Sequence, residues 1–262
     1  LAHMDALDAQ YSMRAGQLVV VDEAGMVDTR DIAWLARMAR EAGARLLKVP
    51  MALFPCFPEE KEKFLKSIKC QAGQTGGMKE EAMEKLLCPS MMCADFGALK
   101  REMEALEKAG IDLYHLDVMD GKFVPNFGMG LQDIQYICGQ GKKPADVHLM
   151  IEDPGNYVEL FAGLGAKIIY IHPEADTHPT RTLQRIIDAG AKPGIAINPG
   201  TSIGTVEELL YLSEYVLVMT VNPGFAGQKY LDFTDYKIEK LSAFKEKYGF
   251  EMVVDGAISP ER

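Results

Sequence analysis

The run His115-Leu116-Asp117-Val118-Met119-Asp120-Gly121 sets an imidazole and a carboxylate two residues apart. Alternate side chains of a strand share a face, so His115, Asp117 and Met119 point one way and Leu116 and Val118 the other. Such a His/Asp pair is half of a divalent metal site. The matching half lies downstream in His148-Leu149-Met150 and Val254-Asp255-Gly256, each near the C-terminal end of an apolar run. The candidate ligands are therefore His115, Asp117, His148 and Asp255. Two of them have a second use. Carboxylates on different strands, facing each other across a bound carbon, can take a proton from one face and return one to the other. A divalent ion on the substrate oxygens stabilises the enediolate formed in between. A set of two His and two Asp suits Zn²⁺, Fe²⁺, Mn²⁺ or Co²⁺, and one such ion is expected.

Chemistry of this kind needs elements that bring strand ends together. From residue 86 the pattern alternates. Apolar strand-like runs at 86–92, 113–119, 145–151, 167–172, 194–198, 216–221 and 250–255 are separated by helical patterns at 96–109, 130–138, 154–164, 179–189, 206–212 and 236–248. Repeated βα units with nearly unbroken Val/Ile/Leu strands indicate a parallel sheet covered on both faces. Gly110, Gly165 and Gly190 stand where helices would end and are read as C-cap glycines. Active sites of βα barrels form at the C-terminal ends of the strands, where the four ligand candidates recur.

Composition narrows the class. With 262 residues, 48% of them hydrophobic, the chain can bury a substantial core as one α/β barrel or two smaller domains. A formal charge of −10 argues against nonspecific nucleic-acid binding. No apolar run is long enough to span a bilayer, and no signal-peptide pattern opens the chain. The five cysteines, Cys56, Cys70, Cys88, Cys93 and Cys138, form no CxxC pair and are odd in number. They read as reduced thiols of a cytoplasmic protein.

Other residues near strand ends have two readings each. Met119, Met150 and Met219 are either adaptable packing or a lining that shields a charged intermediate from water. The loop Val221-Asn222-Pro223-Gly224-Phe225-Ala226-Gly227-Gln228 is an ordinary turn or a backbone cradle for phosphate. Ser90 either satisfies a strand end or touches a substrate oxygen. His172 and Asn198 also end strands; His172 receives no role.

Taken together, these segments resemble the ribulose-phosphate 3-epimerase family. The resemblance is carried by Pro89-Ser90-Met91-Met92-Cys93-Ala94-Asp95-Phe96, by His115 through Asn126, by Asp146-Val147-His148-Leu149-Met150, by Met219 through Gln228 and by Val254-Asp255-Gly256. It implies a TIM barrel and cofactor-independent, metal-assisted epimerisation at C3 of a ketose phosphate. It implies His115, Asp117, His148 and Asp255 as metal ligands, with Asp117 and Asp255 as the acid/base pair. The substrate-binding residues it implies are Ser90, Met119, His148, Met150, Met219, Gly224, Phe225, Ala226, Gly227 and Gly256. The reaction would convert D-ribulose 5-phosphate to D-xylulose 5-phosphate in the pentose phosphate pathway. Phe225-Ala226-Gly227 and His172-Pro173-Glu174 resemble the allulose-6-phosphate branch, which would yield D-fructose 6-phosphate. The partner is a small phosphorylated ketose, not nucleic acid or membrane; homo-oligomerisation is open.

The family pattern continues through an eighth strand and a Gly-Ser loop that have no counterpart here. The expectation is a (β/α)8 barrel lacking its last strand and helices, over 86–262, with bare strand edges at a seam. An inactive chimeric or truncated fragment, binding metal or sugar phosphate without turnover, is the rival reading. Residues 1–50 form a βαβ-like piece joined by a linker at 51–85. Its Leu18-Val19-Val20-Val21-Asp22-Glu23 resembles the Walker B strand of conjugative relaxase–helicases, but the chain has no GxxxxGK[ST] loop.

Overall fold

The computed structural model describes residues 86–257 together with two short strands, Val19–Val21 (β1) and Leu46–Lys48 (β2). The remainder of the N-terminal piece, its Asp22-Glu23 pair and the proposed linker lie outside the described residues.

Six parallel strands carry the molecule: Tyr114–Met119 (β4), Ala145–Met150 (β5), Ile168–Ile171 (β6), Lys192–Ile197 (β7), Tyr215–Met219 (β8) and Glu251–Gly256 (β9). Each pairs with the next in sequence. Helix α1 (Leu99–Ala109) precedes β4, and α2 (Leu131–Gln140), α3 (Val158–Leu164), α4 (Pro179–Asp188) and α5 (Asp235–Tyr248) run between the strands. This is the βα repeat expected of a partial TIM barrel. Gly110 and Gly165 cap α1 and α3 in the left-handed conformation, as the sequence implied.

Two elements differ from the expectation. The segment 206–212 forms a 3-10 helix, Glu207–Tyr211, in place of an α-helix. The first strand is confined to Leu86–Leu87 (β3). Pro89 has no N–H to donate to a ladder, so only its carbonyl is used, accepting from His115 N–H at 3.0 Å. Ser90 then bridges to His115, which brings the end of this segment alongside β4.

Among the described residues the expected bare edge of β9 is not found. The sheet order is β3-β2-β1-β9-β8-β7-β6-β5-β4, with β1 parallel to β9 and Val20 opposite Asp255. The free N–H and C=O groups of β9 would otherwise face solvent, and an apolar extended segment satisfies them.

Alternation sorts the strands into two faces. Leu116, Val118, Val147, Leu149, Ile169, Ile171, Ile195, Ile197, Val216 and Val218 face outward into the main core, where Ile134 and Ile137 of α2, Leu183 and Ile186 of α4 and Leu241 of α5 meet them. Full burial of each such side chain contributes roughly 1.5–3 kcal/mol. The opposite face holds a smaller cluster containing Cys88, Tyr170, Ala196, Leu217 and Val253. Above it on the same face stand the His and Asp residues. The outer apolar face thus holds the sheet to its helices and frees the inner face for polar groups.

Candidate active site

Three strands deliver the polar cluster. His115 and Asp117 come from β4, His148 from β5 and Asp255 from β9, and all four are buried. One ligand atom from each lies within 4.8 Å of all the others. β4 and β9 are far apart in the sheet order, so the curl of the sheet is what brings Asp117 and Asp255 together. His115 Nε2 is 2.9 Å from Asp117 Oδ1, and His148 Nδ1 is 3.2 Å from the same oxygen and 3.7 Å from Asp255 Oδ2. The Ser90 hydroxyl donates to Asp117 Oδ2 at 2.5 Å.

The donor set fits a divalent cation. Two imidazoles and two carboxylates with no Lys or Arg among them supply lone pairs and negative charge to one buried point. His148 is ready to ligate: burial holds its pKa down at about 4, against the pull of Asp117, so its ring is neutral at pH 7.

A cleft opens above the cluster. Asp117 and Asp255 line it with Met119, Met150, Met219 and Met92, and Val221, Asn222, Pro223, Gly224 and Phe225 form one wall. Gly224 is buried while Phe225 is half exposed. Ala226 and Gly227 continue the loop outward and do not line the cleft. Gln228 braces this loop by donating to the carbonyls of Asn222 and Phe225. Asn126 clamps it from the other side, its amide donating to the Gly224 carbonyl at 2.7 Å.

Gly256 follows Asp255 at φ 147°, a backbone state that L side chains rarely adopt. A Cβ there would stand 2.0 Å from Thr220 Oγ1 and 2.9 Å from Val221 N. Gly256→Ala should therefore lower unfolding stability by about 3 kcal/mol and displace Asp255. A denaturant melt within about 1 kcal/mol of wild type would contradict this account.

Four residues near the cluster received no role from the sequence. Asp146 Oδ1 lies 2.6 Å from His115 Nδ1, out of line for a hydrogen bond. His172 places Nε2 2.9 Å from His148 Nε2, and Glu174 stands behind His172. Tyr170 fills the space beneath, its ring centroid 6.4 Å from those of both His115 and His148. Gly194 makes room for it, since a Cβ there would lie 2.5 Å from the Tyr170 ring. Burial raises the Tyr170 pKa well above 10, so the phenol stays protonated. The available signal was strand parity: Asp146 lies two residues before His148 on one face, as Tyr170 does before His172.

A curled parallel βα sheet with an acid/base-capable cluster at its mouth defines an enzyme of the βα-barrel kind. Residues 86–262 match the sequence model of the Ribulose-phosphate 3 epimerase family, and the chain belongs to that family. A ribulose-phosphate 3-epimerase of Aquifex aeolicus (strain VF5) is 45% identical over 162 residues, 62% of this chain and 72% of the relative. Another, from Rhodobacter capsulatus, is 44% identical over 174 residues, 66% of this chain and 76% of the relative. These relatives make the chain an isomerase of the epimerase type. Residues 1–49 match the model of an AAA domain, in keeping with the separate character of the N-terminal piece. A solved flavocytochrome b2 with sulfite bound shares the fold, with a TM-score of 0.53 at 12% identity over 90% of this chain and 66% of that one. A mandelate racemase/muconate lactonizing protein from Herpetosiphon aurantiacus has a TM-score of 0.46 at 16% identity, and the chain spans about half of its length.

Proposed function

We propose that the chain catalyses metal-assisted, two-base epimerisation at C3 of D-ribulose 5-phosphate, giving D-xylulose 5-phosphate, in the pentose phosphate pathway. The observation that carries this reading is the convergence of Asp117 and Asp255, from β4 and β9, on one cleft. One aspartate takes the C3 proton from one face of the substrate. The resulting enediolate is planar at C3, so the other aspartate can return a proton to the opposite face with inversion. Net charge and proton count are unchanged over the cycle. His115, Asp117, His148 and Asp255 would hold one divalent ion (Zn, Fe, Mn or Co), which supplies positive charge against the enediolate oxygens.

Ser90 fixes one oxygen of Asp117, leaving the carboxylate oriented for transfer. Met119, Met150 and Met219 exclude water around the reacting carbon. The backbone of Gly224 and Phe225 at the cleft wall, continued by Ala226 and Gly227 at its outer rim and with Gly256 next to Asp255, binds the phosphate end. No helix among the described residues is long and apolar enough to cross a membrane, and Cys88, Cys93 and Cys138 form no disulfide among the described residues. The setting that belongs to this reading is cytoplasmic.

The test is an assay of the purified chain with ribulose 5-phosphate and with allulose 6-phosphate, before and after chelation and with Zn²⁺, Fe²⁺, Mn²⁺ or Co²⁺ restored. Metal-dependent formation of xylulose 5-phosphate is expected. Turnover of allulose 6-phosphate alone would reassign the substrate to a hexulose phosphate. No turnover of either sugar by folded, metal-loaded protein would leave an inactive fragment as the correct reading.

A further inference from the structure

His148 has two ring nitrogens and faces two different partners. Nδ1 points to the carboxylates, 3.2 Å from Asp117 Oδ1. Nε2 points the other way, 2.9 Å from His172 Nε2. One hydrogen must lie between those two nitrogens, so one ring donates and the other accepts. Which ring donates decides whether Nδ1 of His148 presents a lone pair or a proton to the cluster.

Glu174 makes the choice. It sits just after β6, and Oε2 lies 3.5 Å from His172 Nδ1; no hydrogen bond forms at that separation, but the negative charge favours a proton on the facing nitrogen. The carboxylate is fastened elsewhere: Asn198 N–H donates to Oε1 at 2.9 Å, and the Thr201 hydroxyl donates to the same oxygen. Lys237 is anchored on the Asn198 and Pro199 carbonyls, the latter at 3.0 Å, and its charge acts on Glu174. Burial alone would raise the Glu174 pKa. The adjoining His172 ring, with Thr201 and the Asn198 N–H, outweighs it and holds the group at about 2.

We propose that Glu174 and His172 are positioning residues that fix the tautomer of His148. Glu174 keeps the His172 proton on Nδ1, His172 Nε2 accepts from His148 Nε2–H, and His148 Nδ1 is left as a bare lone pair aimed at Asp117 and Asp255. The opposite arrangement would set the bare Nδ1 of His172 against the Glu174 carboxylate. In the favoured one, two acceptors, His148 Nδ1 and Asp117 Oδ1, face each other, a juxtaposition that a cation resolves. Neither Glu174 nor His172 touches substrate in this scheme. The inference rests on the metal-centre reading above and deepens it.

The test uses the full chain and does not depend on turnover. Zn²⁺ affinity is measured by chelator competition for wild type, Glu174→Gln, His172→Leu and His172→Gln, and the imidazole tautomers of the metal-free protein are read by ¹⁵N NMR. Wild type should carry its His148 proton on Nε2. Glu174→Gln, which leaves His172 in place, and His172→Leu should each weaken Zn²⁺ by about 10–100-fold. His172→Gln offers an acceptor to His148 again and should recover most of that loss. If His172→Leu fails to fold, Glu174→Gln and the wild-type tautomer decide the matter alone. Equal Zn²⁺ affinity in wild type and the folded variants, or His148 protonated on Nδ1 in the metal-free wild type, would overturn the positioning role while leaving the metal centre intact. No Zn²⁺ or Co²⁺ binding by wild type would overturn both.

Discussion

Asp117→Asn and Asp255→Asn should each lower epimerase turnover by about 10³-fold or more, with the fold retained, because in the proposed two-base scheme each removes one of the two proton-transfer groups. Asparagine keeps the shape of the side chain and its ability to accept one hydrogen bond but cannot take a proton. Circular dichroism should therefore match wild type while product formation collapses. The two variants should also differ from each other. In a two-base scheme each aspartate serves one epimer, so exchange of the C3 proton with deuterated solvent should survive for one sugar in one variant and for the other sugar in the second. Metal content must be measured alongside, since both residues belong to the candidate ligand set. Full activity in either variant would remove the two-base mechanism, and exchange of both epimers by both variants would point to a different base.

The second large effect concerns the imidazoles. His115→Ala and His148→Ala should each weaken divalent-metal affinity by more than about 100-fold, the upper end of what loss of an outer partner gives. Each removes one of only two neutral donors from a point where two carboxylates converge. What remains is two anionic side chains with an emptied cavity beside them. Calorimetric titration with Zn²⁺ checks this directly, and retention of wild-type metal content in either variant would remove that histidine from the site. Both residues are fully buried, so a thermal melt of the metal-free variants is needed to separate lost ligation from lost packing.

The ligand candidates and the sheet that holds them were legible because two signals agreed. Apolar runs of four to eight residues recurred with helical stretches between them, and most of the polar residues inside those runs fell at same-face positions such as His115 and Asp117. Strand parity was enough to group residues on one face. It was not enough to say which faces meet across the sheet. The contact between His148 and His172 depends on the β5–β6 register, which pairs His148 with Tyr170 and sets His172 two residues further along the neighbouring strand. Nothing local in Ile171-His172-Pro173-Glu174 records that register. The same limit hid β1: Val19-Val20-Val21 reads as a strand, but its place beside Val254-Asp255-Gly256 is set by a pairing more than two hundred residues away along the chain. The helical pattern at 206–212 left open whether the turn would be α or 3-10, for another reason. Over five residues, periods of 3.0 and 3.6 place Val206, Leu209 and Leu210 on much the same side.

The positions of Asp117 and Asp255 at opposite ends of the six-strand run have a mechanical consequence. Neighbouring strands are riveted by their ladders, but β4 and β9 share none, and the polar cluster is a direct tie between them. An ion held there from both sides would act as a cross-brace on the curl. Its binding would add to folding stability with the logarithm of its concentration over the dissociation constant, about 2.7 kcal/mol at a hundredfold excess. Flattening the sheet would pull the two aspartates apart and release the ion, so the curvature of the scaffold and the loading of the centre rise and fall together.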